Sequence, residues 1–181
     1  MNAQDFFGIP LPIIQAPMAG VQASALAIAV SQAGGLGALP CAMLTHDALS
    51  KELAAMAASG IRHYNVNFFA HIPPAADDTR EAAWRQSLAP HYREFDIDAA
   101  TIPAGPGRMP FSREALALIA PFKPQVVSFH FGLPPDDLLA PIRAWGGKIL
   151  SSATTLAEAR WLAARGVDAI IAQGREAGGH R

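Results

Sequence analysis

Ala169-Ile170-Ile171-Ala172-Gln173-Gly174-Arg175-Glu176-Ala177-Gly178-Gly179-His180 passes from an apolar run to an amide, a glycine-rich turn and a histidine. The apolar run reads as a buried strand. In α/β proteins, ligands sit beyond the carboxyl ends of parallel strands. An amide, glycines and an imidazole delivered there are candidates for a site. The chain of 181 residues stops one residue later, at Arg181. The expectation is the N-terminal part of a larger protein, cut before the fold closes.

Working back along the chain, the same unit recurs. Residues 12–16 (Pro-Ile-Ile-Gln-Ala) read as a short strand, followed by a helix that Ser24 can cap and Gly34-Gly35 stop. Residues 36–39 form a second apolar run. Thr45 is a cap for a helix whose Leu49, Leu53 and Met56 fall on one face. Residues 63–69, 126–132, 148–152 and 169–173 complete the strand set. A helix expected to follow Pro134-Pro135-Asp136 carries Pro141 awkwardly inside it, which predicts a kink or a late start. Thr155 and Glu158 form a capping box for the helix between the last two strands. The rhythm breaks only over residues 71–124. These are proline-rich, with helices expected at 77–88 and 112–121, and read as an excursion within one domain spanning 1–181.

Six strands alternating with helices predict a parallel sheet. A doubly wound sheet and a (β/α)8 TIM barrel both satisfy that pattern. Polar residues stand at the end of nearly every strand: Gln15, Asn67, His130, Ser151-Ser152 and Gln173. A barrel gathers all strand ends around one centre, whereas an open sheet uses one switch point. The barrel is therefore the better account, with about six of its eight strands present.

Composition narrows the function classes. Half of the residues are hydrophobic, 16% are charged and the formal net charge is −1. No basic tract suits nucleic acid. The lone Cys41 gives no disulfide framework and fits a reducing, cytoplasmic setting. No stretch has the length and purity of a membrane span, and no metal-ligand spacing, P-loop or nucleophile elbow occurs.

The candidate residues each have a plain structural explanation as well. Gln15-Ala16-Pro17-Met18-Ala19-Gly20 would let backbone approach a flat ligand, yet spacing alone favours an ordinary turn. Asn67 offers donor and acceptor together, and a satisfied buried amide explains it equally. If Phe129 and Phe131 share one strand face, His130 lies on the other with Ser128. A lone histidine is usually a core residue. The Gly178-Gly179 turn can form an anion-binding concavity, with His180 as a base beside it, or be only a turn.

Taken together, residues 15–20, 33–37, 65–69, 127–132, 151–155 and 173–181 resemble, in order, the nitronate monooxygenase (2-nitropropane dioxygenase) family of bacterial type. The resemblance implies a TIM-barrel flavoenzyme holding non-covalent FMN, with Ala16, Pro17 and Met18 against the flavin. It implies strand-end amides at Asn67 and Gln173, a phosphate turn at Gly178 and Gly179, the active-site histidine at His180, and a second histidine at His130. The implied reaction oxidises alkyl nitronates of the propionate 3-nitronate type with O2 to a carbonyl compound and nitrite. The expected partners are small molecules, with neither nucleic acid nor membrane, and a homodimer is the assembly to look for. Family members continue for over a hundred further residues, so turnover by the 181 residues alone is not expected. Two alternatives stand beside this reading: an FMN-dependent NAD(P)H:quinone or enoyl reductase of the same fold, and a truncated, non-catalytic gene product.

Overall fold

Short β-rich segments separated by capped helices place every strand in the same direction. The computed structural model describes residues 2–102 and 108–179. Its sheet has five strands: β1 (Gly37–Pro40), β2 (Tyr64–Phe69), β3 (Val126–His130), β4 (Lys148–Ala153) and β5 (Ala169–Ala172). They lie in the order β1-β2-β3-β4-β5 and every pair is parallel. That order has no reversal and hence no switch point, which rejects a doubly wound sheet and gives a partial TIM barrel.

The segment expected as a strand at 12–16 is reduced to one parallel bridge, Ile14 to Leu36. The bonds Gln15 N→Leu36 O (2.9 Å) and Leu36 N→Ile13 O (2.9 Å) make it. Pro12 and Pro17 have no N–H, so the ladder cannot extend either way. The Gln15 amide ties this segment to β1: its Nε2 donates to Gln22 Oε1 at 2.6 Å, and its Oε1 accepts from Ala38 N at 3.2 Å. Gln15 thus serves the fold.

The helices are α1 (Ala3–Phe7), α2 (Ser24–Gln32), α3 (His46–Ala58), α4 (Asp78–Glu94), α5 (Arg113–Ile119), α6 (Asp136–Ala144) and α7 (Leu156–Ala164). Thr45 and Ser112 cap α3 and α5, and the Thr155–Glu158 capping box is present. Ser24 is not a cap but the first helical residue. Its N–H donates to Glu52 Oε2 of α3 at 2.8 Å, which replaces the missing side-chain cap. Pro141 sits inside α6 without delaying its start at Asp136. Helix α4 runs on to Glu94, through Pro90, well past the expected end at 88.

The chain divides into two compact units, Met1–His71 with Arg108–Arg181, and Ile72–Gly107. The smaller carries α4, which buries none of its side chains, and a 3-10 turn at Ala99–Thr101. In the larger, the period-two alternation of the strands separates two cores. Leu39, Val66, Val127, Phe129 and Ile149 pack with Leu53, Met56, Ile119 and Ile142 of the helices. On the opposite face Leu36, Val126 and Leu150 pack with Phe7 and Ile9, so the N-terminal segment plugs the inner face of the sheet.

Helix α2 approaches β1 closely at Gly37. A Cβ there would stand 1.9 Å from Ala27 O and 2.6 Å from Ser31 Oγ. Gly37→Ala is therefore expected to lower stability by about 3 kcal/mol, as overpacking of a closed contact does, read from the urea midpoint. Cys41 is 3% exposed and its Sγ donates to Leu39 O at 3.4 Å. Burial pushes its thiol well above the ordinary value, opposed by the backbone hydrogen bond from Asn67. The folded thiol stays neutral while an unfolded one ionises near pH ~8.5. Its stabilising contribution is thus complete below that pH and declines as pH rises above it. Native protein should resist thiol alkylation at pH 8 and react once denatured, and Cys41→Ala should flatten the alkaline fall in stability. Rapid alkylation of the native protein would contradict this.

Candidate active site

The inner face changes character along the strands. At the N-terminal ends it is apolar, with Leu36, Val126 and Leu150. A polar cluster stands beside them, with Asn65 level with Val126 and with Asn67 and Ser128 level with Leu150. Asn65 Nδ2 donates to Ser128 Oγ at 2.9 Å, and Asn67 Nδ2 donates to the same oxygen at 2.8 Å. Asn67 Nδ2 also reaches Ser128 O at 3.3 Å. The β2–β3 register that aligns Asn67 with Ser128 makes these bonds possible. Asn65, Asn67 and Ser128 are 4%, 9% and 1% exposed, so the cluster is shielded from water. Asn65 Oδ1 is buried with no hydrogen-bond partner among the described residues. An orphaned buried acceptor costs about 1–3 kcal/mol, and in a native protein it calls for a water or a ligand as its complement.

At the C-terminal ends the inner face becomes aromatic. Phe69 pairs with His130 across β2 and β3. Their ring centroids are 6.2 Å apart, and Phe131 lies 4.0 Å from His130 and 5.2 Å from Phe69. His71 joins at 6.1 Å from Phe69 and 6.2 Å from Phe131. Its Nδ1 is buried with no hydrogen-bond partner among the described residues. His130 Nδ1 is hydrogen-bonded to Ser152 Oγ of β4.

The expectation that Phe129 and Phe131 share a face fails. Phe129 packs in the outer core, whereas Phe131 has φ of 67° and turns its ring onto His130. A left-handed residue at the strand end reverses the alternation. His130 and Ser128 do share the inner side, as their inner-face bonds to Ser152 and the two asparagines require.

The other expected site residues stand at the same end of the sheet. Gln173 follows β5, and its N–H donates to Ala153 O at 2.9 Å. Gly179 has φ of 113°, and a Cβ on it would lie 4.0 Å from Gln173 Nε2, so the glycine turn lies beside the amide. At Gly178 a Cβ would meet nothing. Ala16, Pro17 and Met18 follow the bridge at Ile14, with Met18 43% exposed. His180 lies outside the described residues.

Sequence reading missed Asn65, Phe69, His71 and the pairing of Ser152 with His130. The signal for Asn65 and Phe69 was present, since i and i+2 neighbours of Asn67 must share its face. His71 lies beyond the strand and had no periodicity to mark it. Among the described residues no cluster of His, Cys, Asp or Glu could hold a metal ion, and no helix is long and apolar enough to cross a membrane.

Comparison with known proteins agrees with this arrangement. The model of the nitronate monooxygenase family matches residues 2–181. A nitronate monooxygenase of Paraburkholderia phytofirmans is 46% identical over 178 residues, covering 96% of this chain and 48% of that protein. One from Pseudomonas aeruginosa is 42% identical over 184 residues, covering 96% and 50%. The structure of a nitroalkane oxidase from Streptomyces ansochromogenes superposes with a TM-score of 0.83 at 38% identity, covering 98% of this chain and 50% of that one. The chain spans about half the length of the curated relatives it matches. With a parallel partial barrel, a polar inner face and a family match from residue 2 to residue 181, the chain belongs to the nitronate monooxygenase family.

Proposed function

We propose that this chain forms the N-terminal part of an FMN-dependent enzyme that oxidises alkyl nitronates, of the propionate 3-nitronate type, with O2 to a carbonyl compound and nitrite. The observation that carries the reading is the graded inner face. An apolar floor gives way to amides and then to an imidazole held among aromatic rings, at the end of the barrel where ligands bind.

The residues present fit a flavin. Asn67 and Gln173 each carry an N–H and a C=O, the functional groups along the polar edge of an isoalloxazine. The orphaned Asn65 Oδ1 leaves an acceptor near Asn67, with which Asn65 shares the Ser128 hydroxyl. The turn at Gly178 and Gly179 lies next to the Gln173 amide and, with no side chain to obstruct it, can offer backbone N–H groups to a phosphate. Ala16, Pro17 and Met18 would supply the small and apolar surface against the ring. A bound flavin supplies the transfer of electrons from the nitronate and on to O2.

The chain's own residues have narrower tasks. Phe69 and Phe131 lie against the His130 ring and offer apolar surface to the carbon skeleton of a ligand. His130, held at Nδ1 by Ser152, presents its imidazole to the ligand. His180 orients an anionic nitronate, or removes the α-proton of a neutral nitroalkane to generate one.

The purified full-length enzyme, of which this chain is the N-terminal part, should be yellow, release FMN on denaturation, and lose its oxidised-flavin absorbance when mixed anaerobically with propionate 3-nitronate but not with NADH. A folded, colourless protein that cannot be reconstituted with FMN, or one bleached by NADH instead, overturns the proposal. His180→Ala should retain FMN while turnover falls by roughly 10²–10⁴-fold, the range for general acid–base help. The loss should be larger on a neutral nitroalkane than on the nitronate if His180 is a base. Wild-type rates on both substrates would remove His180 from the mechanism.

A further inference from the structure

We propose that Ser152 is a positioning residue, whose hydroxyl holds the His130 imidazole in one orientation through every protonation state. The inference rests on the reading of His130 as a group that meets the ligand. Register is the first support. Strands β3 and β4 pair Phe129 with Ser151, so the next residues along, His130 and Ser152, face each other on the inner side. Their hydrogen bond from Oγ to Nδ1 follows from that register and needs no long or flexible side chain.

The backbone beside His130 gives the second support. Phe131 has φ of 67° and Gly132 has φ of 104°. A bulky residue in the left-handed region is strained and persists only where its surroundings hold it. Ser151 Oγ donates to Gly132 O at 2.8 Å and pins the corner. Adjacent serines on one strand point to opposite faces. Ser151 therefore grips the main chain of the corner while Ser152 grips its imidazole. The strained Phe131 ring, 4.0 Å from His130, and Phe69, 6.2 Å away, bracket the imidazole and oppose its rotation.

The chemistry of a hydroxyl completes the case. A serine both donates and accepts. With the proton on Nδ1, His130 donates to Oγ. In the imidazolium the same Nδ1–H···Oγ bond remains. In the other neutral tautomer the hydroxyl turns and donates to bare Nδ1. A carboxylate in this place would favour the cation, whereas the uncharged hydroxyl fixes geometry without fixing charge.

The test compares Ser152→Ala and Ser152→Thr in the purified full-length enzyme by ¹⁵N NMR of the imidazoles and by steady-state kinetics on propionate 3-nitronate. The His130 signals are assigned by their loss in His130→Ala, and thermal melting establishes that each variant is folded. Ser152→Ala should move the His130 ¹⁵N shifts toward an averaged tautomer mixture. It should lower kcat by about 10–100-fold with little change in KM, as misplacement of a reacting group does. Ser152→Thr restores the hydroxyl and should return both readouts toward wild type. Unchanged ¹⁵N shifts in Ser152→Ala, or a threonine variant that behaves like alanine, overturn the proposal. If the shifts move while His130→Ala turns over like wild type, the hold of Ser152 on His130 is supported and the catalytic reading of His130 is what fails.

Discussion

Parallel pairing in sequence order is the constraint on which everything else here depends. Each helix crossover returns the chain to the same end of the next strand, so all carboxyl ends collect on one side. The pleat then sorts alternate side chains to helices or to the interior. Val66, Val127 and Ile149 meet the helices, while Asn67, Ser128 and Leu150 meet one another. A slip of one residue in any strand would exchange those sets and bury amides against leucines. The fold and the site are therefore specified by the same register.

That shared register accounts for the distribution of polar groups. A hydroxyl on β3 accepts from two amides on β2, and a hydroxyl on β4 engages an imidazole on β3. In both cases a short side chain on one strand immobilises a longer one on its neighbour. Inner-face bonds of this kind cost little conformational entropy, because strand backbones already hold their donors and acceptors in place.

Much of this was legible in the sequence, for a physical reason. Helix caps such as Thr45, Ser112 and Thr155 act within one turn, so their identity is encoded locally. The apolar stripe of Leu49, Leu53 and Met56 likewise needs only helical periodicity. What stayed hidden depends on partners far along the chain. The bridge at Ile14 looks like a strand until the missing N–H groups of Pro12 and Pro17 are set against its pairing with Leu36. Helix α2 lacks its own cap because Glu52, from the next helix, supplies the acceptor. The turned ring of Phe131 depends on a left-handed backbone held by Ser151, twenty residues downstream by sequence number. Asn67, His130 and their serine partners were visible as polar interruptions of apolar runs, whereas the pairing of Asn67 with Ser128 and of His130 with Ser152 is set by strand register.

The plug formed by Phe7 and Ile9 bears on the order of assembly. Its seal includes Gln125 Nε2 donating to Phe7 O at 2.8 Å, across a separation of 118 residues. Synthesis at roughly 5–20 residues per second puts on the order of ten seconds between the appearance of the two partners. Throughout that interval Phe7, Ile9 and Leu36 lack the Val126 and Leu150 side chains that complete their cluster. Closure of the barrel floor is thus a high-contact-order event, entropically costly and late. The nascent chain must carry its N-terminal segment unsealed until β3 has emerged, and the floor is complete only when Leu150 of β4 follows.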